Sequence, residues 1–289
     1  MKRSIKRIAL LAIFTGAFMS SCTEDEYSME NNKKITYENQ YDYIGEMHNK
    51  GLDSIAIYLG DNVRFDLEDL YNYNIEKSNI DKDSISCIEY INKIRQKQNI
   101  TYTYLYEDST ILDDYGYCIS YFMNKYRNYM LQVIGSDKEV TPNEFSTNIS
   151  KIEQEIMLSQ YFTDTIYSND VATILSALSI AKYSYMYWYD SYNNSNHPWH
   201  EIIKDRLNTL KSKEEEKRGF WDILVTAAKC VVATVATVPA DVVGGILELR
   251  PDPFPDDLSG GVQADPNDMC EGAKDASAAV WEWATDYDL

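Results

Sequence analysis

The sequence predicts a mostly α-helical protein, an irregular helical bundle with at most a minor β element. Three observations lead there. Apolar residues recur at the helical period of about 3.6 in most segments beyond residue 37. A capping box precedes the clearest of these stripes, and a single stretch alternates as a strand would. An apolar content of 44% over 289 residues is ample for one large core or two small ones.

Residues 1–21 stand apart from the fold. Lys2, Arg3, Lys6 and Arg7 form a basic start, Ile8 to Met19 an apolar run, and Ser20-Ser21 a small polar end before Cys22. That order is the order of a secretory signal. The run is about a dozen residues, short of the ~20 that span a bilayer, so cleavage is favoured over a retained helix. Residues 22–37 then read as a polar, acidic tether, opening Thr23-Glu24-Asp25-Glu26.

A helical domain is expected over 38–218. Within it, Asn49 to Gly51 suits a helix stop with glycine in the left-handed cap. One stripe runs through Ile85, Ile88, Ile91 and Ile94. The stretch Ile100 to Tyr106 alternates β-branched and aromatic residues and is the single strand candidate. Another stripe follows at Tyr115, Cys118, Ile119, Phe122, Tyr126 and Tyr129.

Thr141-Pro142-Asn143-Glu144 opens the clearest helix, a capping box with proline at the first helical position. Phe145, Ile149, Ile152 and Ile156 fall on its apolar face. The next helix opens near Asp170 and carries Val171, Ile174, Leu175, Leu178, Ala181 and Tyr185, a stripe that should pack on its predecessor. A further helix begins near Pro198 with Trp199 and Ile202.

Composition changes at Gly219. Residues 219–249 are rich in alanine, valine and glycine, interrupted by Asp222, Lys229, Pro239 and Asp241. Its uninterrupted apolar stretches are too short to span a membrane, which favours a hairpin packed into the core, with Pro239 at the turn. Residues 250–289 read as an Asp/Pro/Gly loop followed by a short helix around Ala273 to Trp283.

Charge narrows the function. The formal net charge is −19, and four units more negative once residues 1–21 leave. Such a surface repels phosphate backbones, which argues against nucleic acid, and repels anionic headgroups, so membrane contact should come through an anchor. No phosphate-binding glycine loop, dinucleotide fingerprint or nucleophile elbow occurs, and no cofactor is expected.

Phe18-Met19-Ser20-Ser21-Cys22 resembles the lipobox of bacterial lipoproteins, with Met19 where many carry leucine. The resemblance implies cleavage before Cys22 and acylation of its sulfur, and multiple chains anchor far more firmly than one. The acidic residues after Cys22 resemble the export signal of surface lipoproteins of the Bacteroidetes, which implies the outer membrane and its exterior face. Asp53-Ser54-Ile55, Asp83-Ser84-Ile85 and Asp164-Thr165-Ile166 resemble the O-glycosylation sequon of that phylum, marking Ser54, Ser84 and Thr165, although Asp-Ser also caps helices. Tyr43 to Leu52, with Gly45, His48, Asn49 and Gly51, is similar to a segment of uncharacterised lipoproteins of the group, as is Ala240-Asp241 with Gly244-Gly245. That likeness brings no activity.

Cys87, Cys118, Cys230 and Cys270 remain as an even set. Two disulfides in any of three connectivities are open to it, chain order favouring 87 with 118 and 230 with 270, against buried free thiols. His197-Pro198-Trp199-His200-Glu201 lacks the spacing of a zinc helix and reads as a capping region. Asp252, Asp256, Asp257, Asp265 and Asp268 read as a solvated loop, not a calcium loop.

The 24 tyrosines point to a surplus of aromatic surface. Tyr183, Tyr187 and Tyr185, Tyr189 lie four apart on adjoining faces, near Trp188, Tyr192 and Trp199. An aromatic platform including Tyr185, Tyr189, Trp199 and His200 could hold a glycan or protein partner, with His48 as a further candidate, against plain packing within the bundle. The expectation is a non-catalytic binding module. A polysaccharide or envelope hydrolase with an unrecognised carboxylate pair, and a membrane-active protein using residues 220–249, are its competitors.

Overall fold

The expected helical class is what the chain adopts. The structure, a computed structural model, describes residues 38–60, 62, 65–77, 85–136, 138–205, 229–248, 273–276 and 278. Of these, 85% are helical and none lies in a strand. They belong to one unit, Tyr37–Leu289. The signal, Cys22 and the tether lie outside the described residues, as do Ser84, Cys270 and the late aspartate loop.

The helices are α1 (Asp42–Leu59), α2 (Leu67–Lys77), α3 (Cys87–Tyr102), α4 (Tyr117–Ile134), α5 (Pro142–Leu158), α6 (Gln160–Thr163), α7 (Ser168–Asn193) and α8 (Lys229–Glu248). Helical turns also run over 200–205 and 273–276. Two starts are chemically explicit. Ser86 and Thr141 each accept the backbone N–H three residues on, while Glu89 and Glu144 reach back to the caps.

The organising element is α7, against which α1, α4, α5, α6 and α8 all pack. This explains its composition: Val171, Ile174, Leu175, Leu178, Ala181 and Tyr185 are buried as expected, and Thr173, Ser176, Ser179, Lys182 and Ser184 are buried with them. A helix enclosed on several sides has no polar face to spare. Contacts 153 with 182 and 145 with 185 set α5 antiparallel to α7; Phe145 stacks on Tyr185 at 3.9 Å and 12°. Helix α4 is antiparallel to α5 in turn, through Tyr129 with Phe145 and Lys125 with Glu155.

Four local expectations are corrected. The stretch Ile100 to Tyr106 is not a strand: α3 runs to Tyr102 and widens into a π-helical turn, Thr103–Glu107. Tyr104 and Leu105 are both buried, so consecutive residues face the core where a strand would bury alternate ones, and the Tyr104 hydroxyl donates to the Met123 carbonyl on α4. Helix α1 does not stop at Asn49 to Gly51 but continues to Leu59. Gly51 is there for space, since a Cβ would lie 2.8 Å from Lys274 Cδ. Pro239 is inside α8 rather than at the turn of a hairpin. Ile88 is exposed, because α3 turns Tyr90, Ile94, Gln98 and Thr101 to the core.

Residues 238–246, the described heart of the apolar segment, are buried against α7, α3 and α4. Among the described residues no helix is long and apolar enough to cross a membrane.

Candidate functional site

An open groove of about 300 Å³ lies where α4, the end of α5 and α6 meet, lined by Tyr117, Tyr121, Phe122, Glu155, Ser159 and Tyr161. The helical period makes it. On α4, Cys118, Ile119, Phe122 and Tyr126 are spent on the core, which turns Tyr117 and Tyr121 outward, one helical turn apart. Their rings stack at 6.1 Å and 20°, and remain 70% and 43% exposed. Tyr161 closes the far wall, 6.4 Å from Tyr117 and edge-on to Tyr167 at 4.9 Å. Exposed stacked rings on a folded domain are unused apolar area, and such patches mark interaction surfaces.

The groove also has charge. Lys125 pairs with Glu155 across the α4–α5 seam, and its ammonium sits 5.1 Å from the Tyr121 ring and 5.9 Å from Phe122. The hydrogen bond that Lys125 donates to Glu155 raises the lysine pKa above its usual range. The aromatic stack and the ion pair are therefore side by side at the groove. The sequence signal was present as Tyr117 and Tyr121 four apart and off the α4 core stripe, a pattern overshadowed by the denser tyrosines of α7.

The α7 platform does not form. Tyr185, Trp199, His200 and His48 are all buried, and Tyr189 is half-buried. Tyr185 donates to the Val140 carbonyl at 2.7 Å, Trp199 Nε1 to the Leu52 carbonyl at 3.0 Å, and His200 Nδ1 meets the Ser191 carbonyl at 2.9 Å. These aromatic residues pack between helices because α7 is enclosed. Tyr189 lines a second, shallower groove of about 490 Å³ with Asn49, Asn143, Asp190 and His197. Burial lowers the His197 pKa, and its Nδ1 accepts the Trp199 N–H at 3.3 Å, a local capping contact.

His48 belongs to a buried polar seam that joins the two separately noticed segments. Its Nε2 lies 3.5 Å from Asp241 Oδ2 on α8, both side chains fully buried, and Ser184 on α7 donates to the same carboxylate oxygen. His48 Nδ1 meets Asn49 Oδ1 at 3.0 Å, and Asn49 donates to the Tyr183 carbonyl at 3.1 Å. Gly45 N donates to Ser179 Oγ at 3.1 Å, and that hydroxyl donates to the Asp42 carbonyl. The partners rise together along both chains, so α1 and α7 run parallel. A Cβ on Gly45 would lie 2.5 Å from Tyr183 Cδ2 and 2.7 Å from the Ser179 carbonyl. With His48, Ser184 and Asp241 buried at its centre, the seam is suited to holding three helices together.

The same seam carries an ionic knot. Lys182 Nζ lies 2.7 Å from Asp42 Oδ1 and 3.0 Å from Glu153 Oε2, while Asn39 Nδ2 donates to Glu153 Oε1 at 2.7 Å. Burial pushes the Glu153 carboxyl up against the pull of Lys182 and Asn39. Burial also works against the Lys182 ammonium, but Glu153 and Asp42 outweigh it and raise its pKa. The knot thus ties the start of α1, α5 and α7 together through three side chains and Asn39.

Cys87 and Cys118 are free thiols, so the pairing of 87 with 118 does not form; Cys118 is buried in the α4 core stripe. The Cys230 side chain lies outside the described residues. Among the described residues no group of histidine, cysteine and carboxylate side chains is placed to hold a metal ion. Ser54 is exposed on α1 and donates to the Lys50 carbonyl; Thr165 is exposed at a turn where Asp164 caps Ile166.

No family model matches the chain. No curated protein matches it, and no solved structure does.

Proposed function

We propose that this chain is a lipid-anchored protein of a bacterial outer membrane, acylated at Cys22 and facing the cell exterior, whose helical domain is a non-catalytic glycan-binding module. The observation that carries the reading is the exposed Tyr117–Tyr121 stack over a groove with Glu155 and Ser159. Ring faces cover the C–H faces of a sugar while a carboxylate and hydroxyl take its hydroxyl groups, the usual division of labour in a small-ligand site.

The test uses the full chain in detergent micelles on a glycan array, with Tyr117→Ala/Tyr121→Ala alongside. Binding by the wild type, lost in the double variant, supports the reading. Equal binding by both moves the site elsewhere, and no binding by either removes its main support. The anchor is tested separately: Cys22→Ser should move the protein out of the membrane fraction and abolish incorporation of a labelled fatty acid. Protease added to intact cells should degrade the wild type if it faces outward.

A further inference from the structure

We infer that the ligand of the Tyr117–Tyr121–Tyr161 groove bears an organic ammonium group, the rings and Glu155 forming a cage for that cation; the inference rests on reading the groove as the binding site. Four observations converge. Three tyrosine rings border a groove of about 300 Å³, which suits a headgroup or a sugar residue rather than an extended chain. Glu155 is the acidic side chain in the lining. The chain as a whole carries a net charge of −19, which concentrates cations and repels anions at its surface. Most directly, the protein already places an ammonium on this wall.

That ammonium is Lys125, 5.1 Å from Tyr121, 5.9 Å from Phe122 and paired with Glu155. These distances are those of cation–π attraction, in which the ring quadrupole offers its negative face to a cation within about 6 Å. Lys125 holds only the Tyr121–Phe122 end. Tyr117, 70% exposed, stands open at the other end, within 6.4 Å of Tyr161. A second cation entering there would be drawn by the same rings and would compete with Lys125 for Glu155. A neutral ligand gains the stacking but not the charge, and an anionic one meets Glu155.

The competition gives the test its direction. Titration calorimetry of the full chain in micelles would compare a glucosamine tetramer, with free amines, against its N-acetylated counterpart, which shares the ring and linkage. The expected result is about tenfold tighter binding of the amine form, equivalent to ~1.4 kcal/mol. Glu155→Gln should erase that preference, weakening the amine form far more than the N-acetylated tetramer, which loses only a hydroxyl contact to the carboxylate. Lys125→Met, by removing the internal competitor, should tighten binding of the amine form.

Both positions are on the surface, and far-ultraviolet circular dichroism would confirm that each variant folds. Equal or tighter binding of the neutral tetramer would overturn the cation inference and leave the glycan module standing. So would a Lys125→Met protein that binds the amine form no better. No binding of either tetramer, with a silent glycan array, would remove both proposals together.

Discussion

Replacing Lys182 with methionine tests the ionic knot on α7 most sharply. Methionine fills a similar volume but leaves Glu153, 3% exposed, with Asn39 as its remaining donor among the contacts described above. Breaking a buried pair from one side costs about 3–5 kcal/mol, because the stranded charge keeps its desolvation penalty. Asp42 adds little to that figure, since its side chain is 36% exposed and water can replace the ammonium. Lys182→Met/Glu153→Gln removes the charge as well, and should recover all but about 1–2 kcal/mol of lost hydrogen bonding.

Urea unfolding followed by circular dichroism reads both values, and the cycle gives the coupling. The sign with pH is also fixed. In Lys182→Met, the Glu153 pKa would rise further above its unfolded value. Stability is then greatest below the unfolded carboxyl pKa and is lost as pH rises through the folded one, so the deficit against wild type should shrink on acidification. A single variant within 1 kcal/mol of wild type, or a double variant no better than the single, would refute the reasoning.

Gly45→Ala should lower stability by about 1–3 kcal/mol, because its Cβ meets the Ser179 backbone carbonyl, whereas Gly51→Ala, which meets the flexible end of Lys274, should cost less and regain up to ~1 kcal/mol of helix propensity. Urea midpoints of the two variants compare them directly. Alkaline unfolding should start near pH 10: burial raises Tyr106 to about 12, holds Tyr104 and Tyr187 higher still and raises Tyr126 well above the usual tyrosine range, so stability present below the unfolded tyrosine pKa is lost as pH climbs through 10–12. Tyrosinate absorbance at 295 nm should rise together with the loss of helix signal rather than before it. Asp241→Ala should cost about 2–4 kcal/mol, and a His48–Asp241 double-mutant cycle should show coupling above ~0.5 kcal/mol; additive effects would mean that the 3.5 Å contact contributes nothing.

Helix α5 was the most legible part of the fold. Thr141 to Glu144 encodes its start chemically, and Phe145, Ile149, Ile152 and Ile156 make up one buried face. Helix α7 was legible as a helix but not as a surface. Its visible stripe is buried, yet so are Ser176, Ser179 and Ser184, because helices pack on several of its sides. A single-face pattern cannot announce that enclosure, and for the same reason the aromatic residues of α7 could be read either as a platform or as packing within the bundle. Ile100 to Tyr106 failed differently. Its alternation is real, but the pairing partner a strand requires is absent among the described residues, and α3 propagates instead from the capping box at Ser86.

The two glycines of the first segment show where sequence inference ends. Gly51 looked like a stop because glycine relaxes backbone limits, and it proved to be a clearance for Lys274. His48 looked like a site residue because it is titratable, while Gly45 and Asn49 stood out only as members of the same segment. Gly45 and His48 are buried and Asn49 half-buried against Ser179, Tyr183 and Asp241, and with Ser184 they fix the placement of α1, α7 and α8. The polar contacts there are directional, so they set which helix meets which and at what height, a role apolar packing leaves looser. The exposed rings lie where the core leaves them unspent. On α4 the core takes Cys118, Ile119, Phe122 and Tyr126, and geometry leaves Tyr117 and Tyr121 facing out together. Core and exposed residues thus alternate along α4 itself, and substitution of Tyr117 or Tyr121 should leave the buried contacts of α1, α7 and α8 intact.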